Sequence, residues 1–92
     1  MKRKEILETA AHIVSGKRET DYGPPEDSFQ NIAALWSAYL GTNISSIDVA
    51  VMMILLKVAR MYGGAGTEDT WVDIAGYAAC GGEIDTERSG EE

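Results

Sequence analysis

Charged and hydroxylated side chains recur at helical spacing in the second half of the sequence. Lys57 and Arg60 are three residues apart, so they would share a helix face, yet their neighbours are strongly apolar. Asp69, Asp73 and Tyr77 follow at intervals of four and would also share a face. Burying a lone charge is costly, so such groups pair with each other or bind something. The pattern fits a structural ion pair between Asp73 and Lys57 or Arg60, and equally a polar ligand site between two helices.

A second group of polar residues lies in the segment GKRETDYGPP. Gly23 and the two prolines that follow it favour a helix stop and a turn, which needs no function. The same segment collects Lys17, Arg18, Asp21 and Tyr22, and loops that carry such groups on helical proteins often contact ligands. The sequence therefore predicts a loop here that is either a plain turn or part of a ligand site.

Apolar residues at a period near 3.6 predict that about four helices position these groups in a small all-α bundle. Start and stop signals set the bounds: a proline and two acids open the second helix, a capping-box pattern opens the third, and glycines follow each helix. No segment alternates for long enough to require a strand. The predicted helices span roughly residues 3 to 15, from 25 to the glycine at 41, from 45 to 62, and from 67 to the glycines at 81 and 82.

The third predicted helix, DVAVMMILLKVARMY, is apolar nearly all round. Such a helix is either central, packed on several sides, or shared with a partner subunit. Because the chain has only 92 residues, we expect a homo-oligomer. We expect one helical domain over residues 1–82, followed by an acidic flexible tail over 83–92.

Composition restricts the function classes further. The formal net charge of −7 disfavours an extended nucleic-acid surface. The single cysteine excludes an intrachain disulfide and a cysteine-rich zinc site, and fits a reducing cytoplasm. No apolar run resembles a signal peptide or is long enough to cross a bilayer. We expect a cytoplasmic protein without membrane contact.

Three longer segments carry a resemblance to known proteins. They are KRETDYGPPEDSFQNIAALWSAYLG, DVAVMMILLKVARM and EDTWVDIAGYAACGGEI. Together they resemble a family of short phage and prophage proteins without assigned function. The order of a basic DYG segment, LK-x-x-R and D-x-x-x-D-x-x-x-Y also resembles phage nucleotide-modification-associated proteins and, more distantly, MazG-type all-α nucleoside triphosphate pyrophosphatases.

The MazG-type resemblance implies a magnesium-dependent nucleotide site. That family holds Mg²⁺ with an E-E-x-x-E motif on one helix and E-x-x-D on the next, because carboxylate oxygens suit this ion. Asp69 and Asp73 fall where the second motif would be, with a spacing one residue longer, and E-E-x-x-E is absent. The resemblance implies Asp69 and Asp73 as metal ligands, with Lys17, Arg18, Lys57 or Arg60 at the phosphates.

Two kinds of function follow from this resemblance. In the first, the protein is a Mg²⁺-dependent nucleotide pyrophosphohydrolase in the host cytoplasm. In the second, it is a non-catalytic sponge that sequesters a nucleotide immune signal, an anti-defence role. A protein-interaction module is a third hypothesis, from a different class. The residues expected at a nucleotide-derived ligand are Lys17, Arg18, Asp21, Tyr22, Lys57, Arg60, Asp73 and Tyr77.

Overall fold

The computed structural model describes residues 1–89, and the side chains of all of them except Lys17, Arg18, Tyr22, Arg88 and Ser89. It contains four long helices and one short one, and residues 1–89 include no strand, so the predicted all-α class is confirmed. The predicted helices one to four are α1, α3, α4 and α5. The bounds are α1 Arg3–Ser15, α2 Lys17–Tyr22, α3 Pro25–Leu40, α4 Ser46–Tyr62 and α5 Glu68–Ser89.

The predicted loop before the prolines is wrong, because Lys17–Tyr22 forms the short helix α2. The turn that follows it is confined to Gly23 and Pro24. Gly23 has a φ of 80°, which glycine adopts without strain, and its N–H donates to the Glu19 carbonyl at 2.7 Å. Pro24 is extended, and Pro25 occupies the first helical position of α3, where no N–H is needed.

The helix start predicted at Ser45 is confirmed as a capping box. Ser45 Oγ accepts a hydrogen bond from the Asp48 N–H at 3.1 Å, and Asp48 Oδ2 accepts one from the Ser45 N–H at 2.9 Å. The preceding helix ends at Gly41, whose φ of 69° lies in the left-handed region. These signals fix the short α3–α4 connection.

The predicted helix end at Gly81 and Gly82 is wrong, because α5 continues to Ser89. A Cβ at Gly81 would lie 2.8 Å from the Ala50 Cβ, so Gly81 lets α4 and α5 pack closely. Ile84 then joins the core, 4% exposed. Residues 83–89 of the predicted flexible tail are therefore helical and extend the helical unit beyond residue 82, while residues 90–92 lie outside the described part.

The core lies where α5 meets α3 and α4, and α5 also packs along α1. Within the described residues α4 contacts only α3 and α5, so the expectation that α4 is central is wrong for the single chain. Its small residues Val49 and Ala50 are buried, but much of its opposite side is exposed. The buried core cluster consists of Phe29, Ala33, Val49, Ala50, Cys80 and Ile84.

Candidate functional site

A narrow groove of about 40 Å³ lies between α1 and α5. Its helices approach closely because position 76 is a glycine: a Cβ there would lie 3.3 Å from Val14 Cγ1. The walls are mostly apolar, with one carboxylate and one phenol, as is typical of small-molecule sites. The lining residues are Ala10, Ile13, Val14, Phe29, Val72, Asp73, Gly76, Tyr77 and Cys80.

One wall of the groove is held by an ion pair between α4 and α5. Lys57 Nζ lies 3.0 Å from Asp73 Oδ2, and the Lys57 side chain is 13% exposed while that of Asp73 is 37% exposed. Asp73 also lines the groove, whereas Lys57 does not. Asp73 therefore neutralises a nearly buried ammonium and still presents a carboxylate to a ligand.

Two aromatic rings form the adjacent part of the groove. The ring centroids of Phe29 and Tyr77 are 6.2 Å apart and their planes are inclined by 39°. Phe29 is buried in the core, whereas Tyr77 is partly exposed one helical turn beyond Asp73. A planar apolar ligand would find aromatic contact and a hydrogen-bond acceptor within one turn of α5.

The groove continues toward α2 and the start of α3. A larger cleft of about 460 Å³ shares Val14, Phe29 and Cys80 with it and reaches Glu19 and Pro25. A third depression of about 190 Å³ again shares Val14 and Cys80 and ends at Glu83. The three depressions form one surface that passes from an apolar end to an acidic end.

Three carboxylates converge at the acidic end. Glu26, Glu83 and Glu87 each place a carboxylate oxygen within 4.8 Å of the others. Glu26 Oε2 is buried and has no hydrogen-bond partner. Oxygen ligands at this separation suit a hard cation such as Mg²⁺ or Ca²⁺.

The electrostatics of this group disfavour three negative charges. Partial loss of hydration raises the pKa of the Glu83 carboxyl above its ordinary value of 4.5. The charges of Glu87, Glu26 and Glu19 raise that pKa further, in that order. A proton on Glu83 or a bound cation would relieve the same repulsion.

Comparison with known proteins assigns the family. The model of a domain of unknown function, DUF6378, matches residues 5–85, which is most of the chain. The chain belongs to the DUF6378 family. No solved structure matches it.

Two relatives of this DUF6378 chain come from mycobacteriophages. It is 47% identical over 77 residues to the Gene 55 protein of Mycobacterium phage D29, covering 84% of this chain and 51% of the relative. It is 51% identical over 74 residues to the Gene 55 protein of Mycobacterium phage L5, covering 79% and 47%. The predicted resemblance to phage proteins is confirmed. The chain spans about half the length of these relatives.

In this DUF6378 chain, only some of the predicted site residues come together. Lys57 and Asp73 pair, which confirms the ion pair expected from the sequence, and Tyr77 lines the groove beside Asp73. Arg60 is exposed near the end of α4, and Asp69 is exposed in the first turn of α5.

The other predicted residues lie on α2. Asp21 is exposed there, and the side chains of Lys17, Arg18 and Tyr22 lie outside the described part of the structure. Asp69 and Asp73, the predicted metal ligands, have no third metal-ligating side chain close to them among the described residues. In that part of the chain, the one group of three such side chains is Glu26, Glu83 and Glu87.

Sequence reasoning missed that carboxylate group. Glu83 and Glu87 are four residues apart and share a helix face, but the two glycines before them are a typical helix end and predict a tail instead. Glu26 lies in the first turn of α3, where an acid is expected without any ligand. Only the tertiary packing of α3 against α5 brings the three together.

None of the helices within residues 1–89 is both long enough and apolar enough to span a lipid bilayer.

Proposed function

We propose that the protein binds a nucleotide or nucleotide-derived ligand along the α1–α5 groove, together with Mg²⁺. The observation that carries the proposal is the continuity of the surface: an apolar, aromatic end at Asp73 and Tyr77 leads to an acidic end at Glu83. A nucleotide has the same division, with a flat base at one end and phosphates at the other. The resemblance to nucleotide-modification-associated and MazG-type proteins supports the same ligand class.

The base would lie across the mouth of the groove between α1 and α5, whose volume of about 40 Å³ is too small to enclose it. Tyr77 and Phe29 supply aromatic contact, and Val14 supplies apolar contact from α1. Asp73 uses Oδ2 for Lys57, so its other oxygen can accept hydrogen bonds from amino or imino N–H groups of a base. This arrangement favours bases that carry such donors along one edge, such as guanine.

The phosphates would lie toward Glu26, Glu83 and Glu87. Phosphate and carboxylate oxygens repel each other unless a cation lies between them. The three carboxylates offer oxygen ligands only, which fits Mg²⁺ and does not fit a soft metal. Binding of a charged nucleotide should therefore depend strongly on Mg²⁺. Lys17 or Arg18 on α2 would add a positive charge for the phosphates.

Hydrolysis is the favoured form of this function, because carboxylates that converge beside a ligand cleft suit metal-assisted hydrolysis. In a pyrophosphohydrolase, a water oxygen bonds to the α-phosphorus and the bond to the bridging oxygen breaks. The products are a nucleoside monophosphate and pyrophosphate. A carboxylate of this group that does not bind the cation would accept the proton of that water.

Sequestration without turnover is the second candidate. The absence of E-E-x-x-E favours it, because the helix that would carry that motif in the MazG-type pattern offers apolar residues instead. A phage protein of this kind would remove a nucleotide immune signal from the host cytoplasm. Both candidates use the same groove and differ only in the fate of the ligand.

The test is a thermal-shift screen against nucleoside triphosphates, cyclic di- and trinucleotides and ADP-ribose-type signals, with and without Mg²⁺. A ligand at about 100 times its Kd adds roughly 2.7 kcal/mol of stability. Each ligand is then recovered and chromatographed: cleaved ligand supports the hydrolase, and intact ligand supports the sponge. A panel that leaves the melting temperature unchanged refutes nucleotide binding.

Matched variants locate the site. Glu83→Gln removes one charge of the carboxylate group and should abolish the Mg²⁺ requirement or the binding itself. Glu8→Gln removes one charge from the exposed face of α1, outside the lining of the groove, and should bind like the parent. Equal binding by Glu83→Gln and Glu8→Gln, with the same Mg²⁺ dependence, would exclude the carboxylate group.

A further inference from the structure

The outer face of α4 is apolar along most of its length. We define this face as Asp48, Val51, Met52, Leu55, Val58, Ala59 and Tyr62, which are all exposed. Their spacing of three, four and seven residues places them within one side of the helix, centred on Leu55. A helix at the surface of a monomer normally carries polar residues there. Asp48 is the single charged residue of the face.

We propose that this face is covered by a second copy of the chain, with the two α4 helices antiparallel across a two-fold axis at Leu55. In this arrangement the sequence is complementary to itself. Val51 meets the second copy's Ala59, and Met52 meets its Val58, so a larger side chain opposes a smaller one at each level. Leu55 meets its own counterpart, as an isologous contact requires.

Charge selects the antiparallel orientation. A parallel pair would place the two Asp48 carboxylates against each other, which repels. The antiparallel pair separates them by about 20 Å along the helices and sets each one opposite the second copy's Tyr62, whose hydroxyl can donate a hydrogen bond. It also sets the helix dipoles in opposition.

Charge also makes this face better suited to self-association than the rest of the surface of the chain. The whole chain carries a formal net charge of −7, so two copies repel across most of their surfaces. The outer face of α4 has one acidic residue among seven, which makes it a surface on which this repulsion is weak.

The area of the face suits a modest dimer. The larger apolar side chains of this face, together with the flanking Leu56, are between 37% and 95% exposed. They present roughly 500 Å² per copy, so two copies would bury about 1,000 Å², near the lower limit for a specific interface. The dimer should therefore form at micromolar concentration.

The interface is independent of the proposed ligand groove. The groove lies between α1 and α5, and within the described residues α1 makes no contact with α4. Dimer formation should be unaffected by nucleotide or Mg²⁺.

Sedimentation velocity of the full chain over a range of micromolar concentrations tests the proposal. The parent should approach the mass of a dimer, and Leu55→Glu should weaken association by roughly 100-fold because two carboxylates would meet at the axis. Leu7→Glu is the matched control, because Leu7 is 63% exposed on α1 and Leu55 is 59% exposed. Circular dichroism checks that both variants keep their helices.

Three results would overturn the dimer: a monomeric parent at every concentration, a dimeric Leu55→Glu variant, or equal dissociation by Leu7→Glu. Cysteine cross-linking tests the orientation, with the parent and its buried Cys80 as the background. Leu55→Cys should give a disulfide-linked dimer, and Tyr62→Cys should not. Efficient cross-linking through Tyr62→Cys would overturn the antiparallel arrangement.

Discussion

Lys57 Nζ on α4 lies 3.0 Å from Asp73 Oδ2 on α5, and the lysine is the more buried partner of the two. This asymmetry decides what each residue contributes. An ammonium that is 13% exposed has little water to replace a lost carboxylate, whereas a carboxylate that is 37% exposed can be rehydrated. The pair thus fixes α4 to α5 and orients Asp73 at the groove.

Removing the acid should cost more stability than removing the base. Asp73→Ala leaves the Lys57 ammonium nearly buried and should lower the free energy of unfolding by about 1–2 kcal/mol. Lys57→Met keeps the apolar packing of the lysine stem and should cost less than about 1 kcal/mol. Urea denaturation measures both. A larger loss for Lys57→Met than for Asp73→Ala would contradict the assigned asymmetry.

Ser37 should contribute to stability through the α3–α4 connection. Its hydroxyl oxygen accepts from the Ile44 N–H at 2.8 Å and donates to the Ile44 carbonyl at 3.2 Å. Ser37→Ala removes both bonds and leaves backbone groups unsatisfied, so it should cost about 1–2 kcal/mol in thermal or urea unfolding.

Ser15→Ala is the control for this prediction. Its hydroxyl donates to the Ala11 carbonyl within the same helix, and such local bonds add little to stability. We expect a change within about 0.5 kcal/mol. If the two variants lose the same stability, Ser37 does not fix the connection.

Local signals predicted most of the fold. The capping box at Ser45, the proline at the start of α3 and the left-handed Gly41 all act within a few residues, so the sequence reveals them directly. The sequence predicted an ion pair of Asp73 with Lys57 or Arg60 as one of two alternatives, and the structure shows the pair with Lys57.

The predictions that are wrong concern positions where tertiary contacts, and not the local sequence, determine the structure. A glycine pair is an ordinary helix end, but Gly81 is retained inside α5 because α4 packs against it, and no local signal distinguishes these two roles. A helix end at these glycines also predicts Glu83 and Glu87 in a tail, away from Glu26, so the sequence does not predict the carboxylate group. The exposed side of α4 could not be predicted either, because its composition fits burial within one chain and burial between two.

The two neighbouring glycines give a direct test of this explanation. Gly81→Ala would bring a Cβ to 2.8 Å from the Ala50 Cβ, so overpacking should outweigh the gain in helix propensity and cost about 1–2 kcal/mol. Gly82→Ala meets nothing within 4 Å and should stabilise by up to about 1 kcal/mol. Thermal unfolding of both variants measures these changes in stability. A stabilising Gly81→Ala would show that the packing of α4 against α5 does not require a glycine at this position.

Glu83 should make stability depend on pH in a specific direction. Because its pKa in the folded protein is raised above 4.5, the ionised carboxylate is less favourable in the folded chain than in the unfolded chain. The resulting loss of stability is absent below pH 4.5, develops as the pH rises through the raised pKa and is complete above it. Glu83→Gln lacks this loss, so it should be more stable than the parent at neutral pH. Because Glu83 is exposed and solvent screens its charge, the gain should not exceed about 0.5 kcal/mol.

The measurement is the difference in unfolding free energy between Glu83→Gln and the parent as a function of pH, without divalent cations. The difference should shrink as the pH falls toward 4.5. Adding Mg²⁺ at neutral pH should stabilise the parent and narrow the same difference, because a cation offsets the charges of Glu26, Glu83 and Glu87. A difference independent of both pH and Mg²⁺ would mean that these carboxylates do not interact in the folded protein.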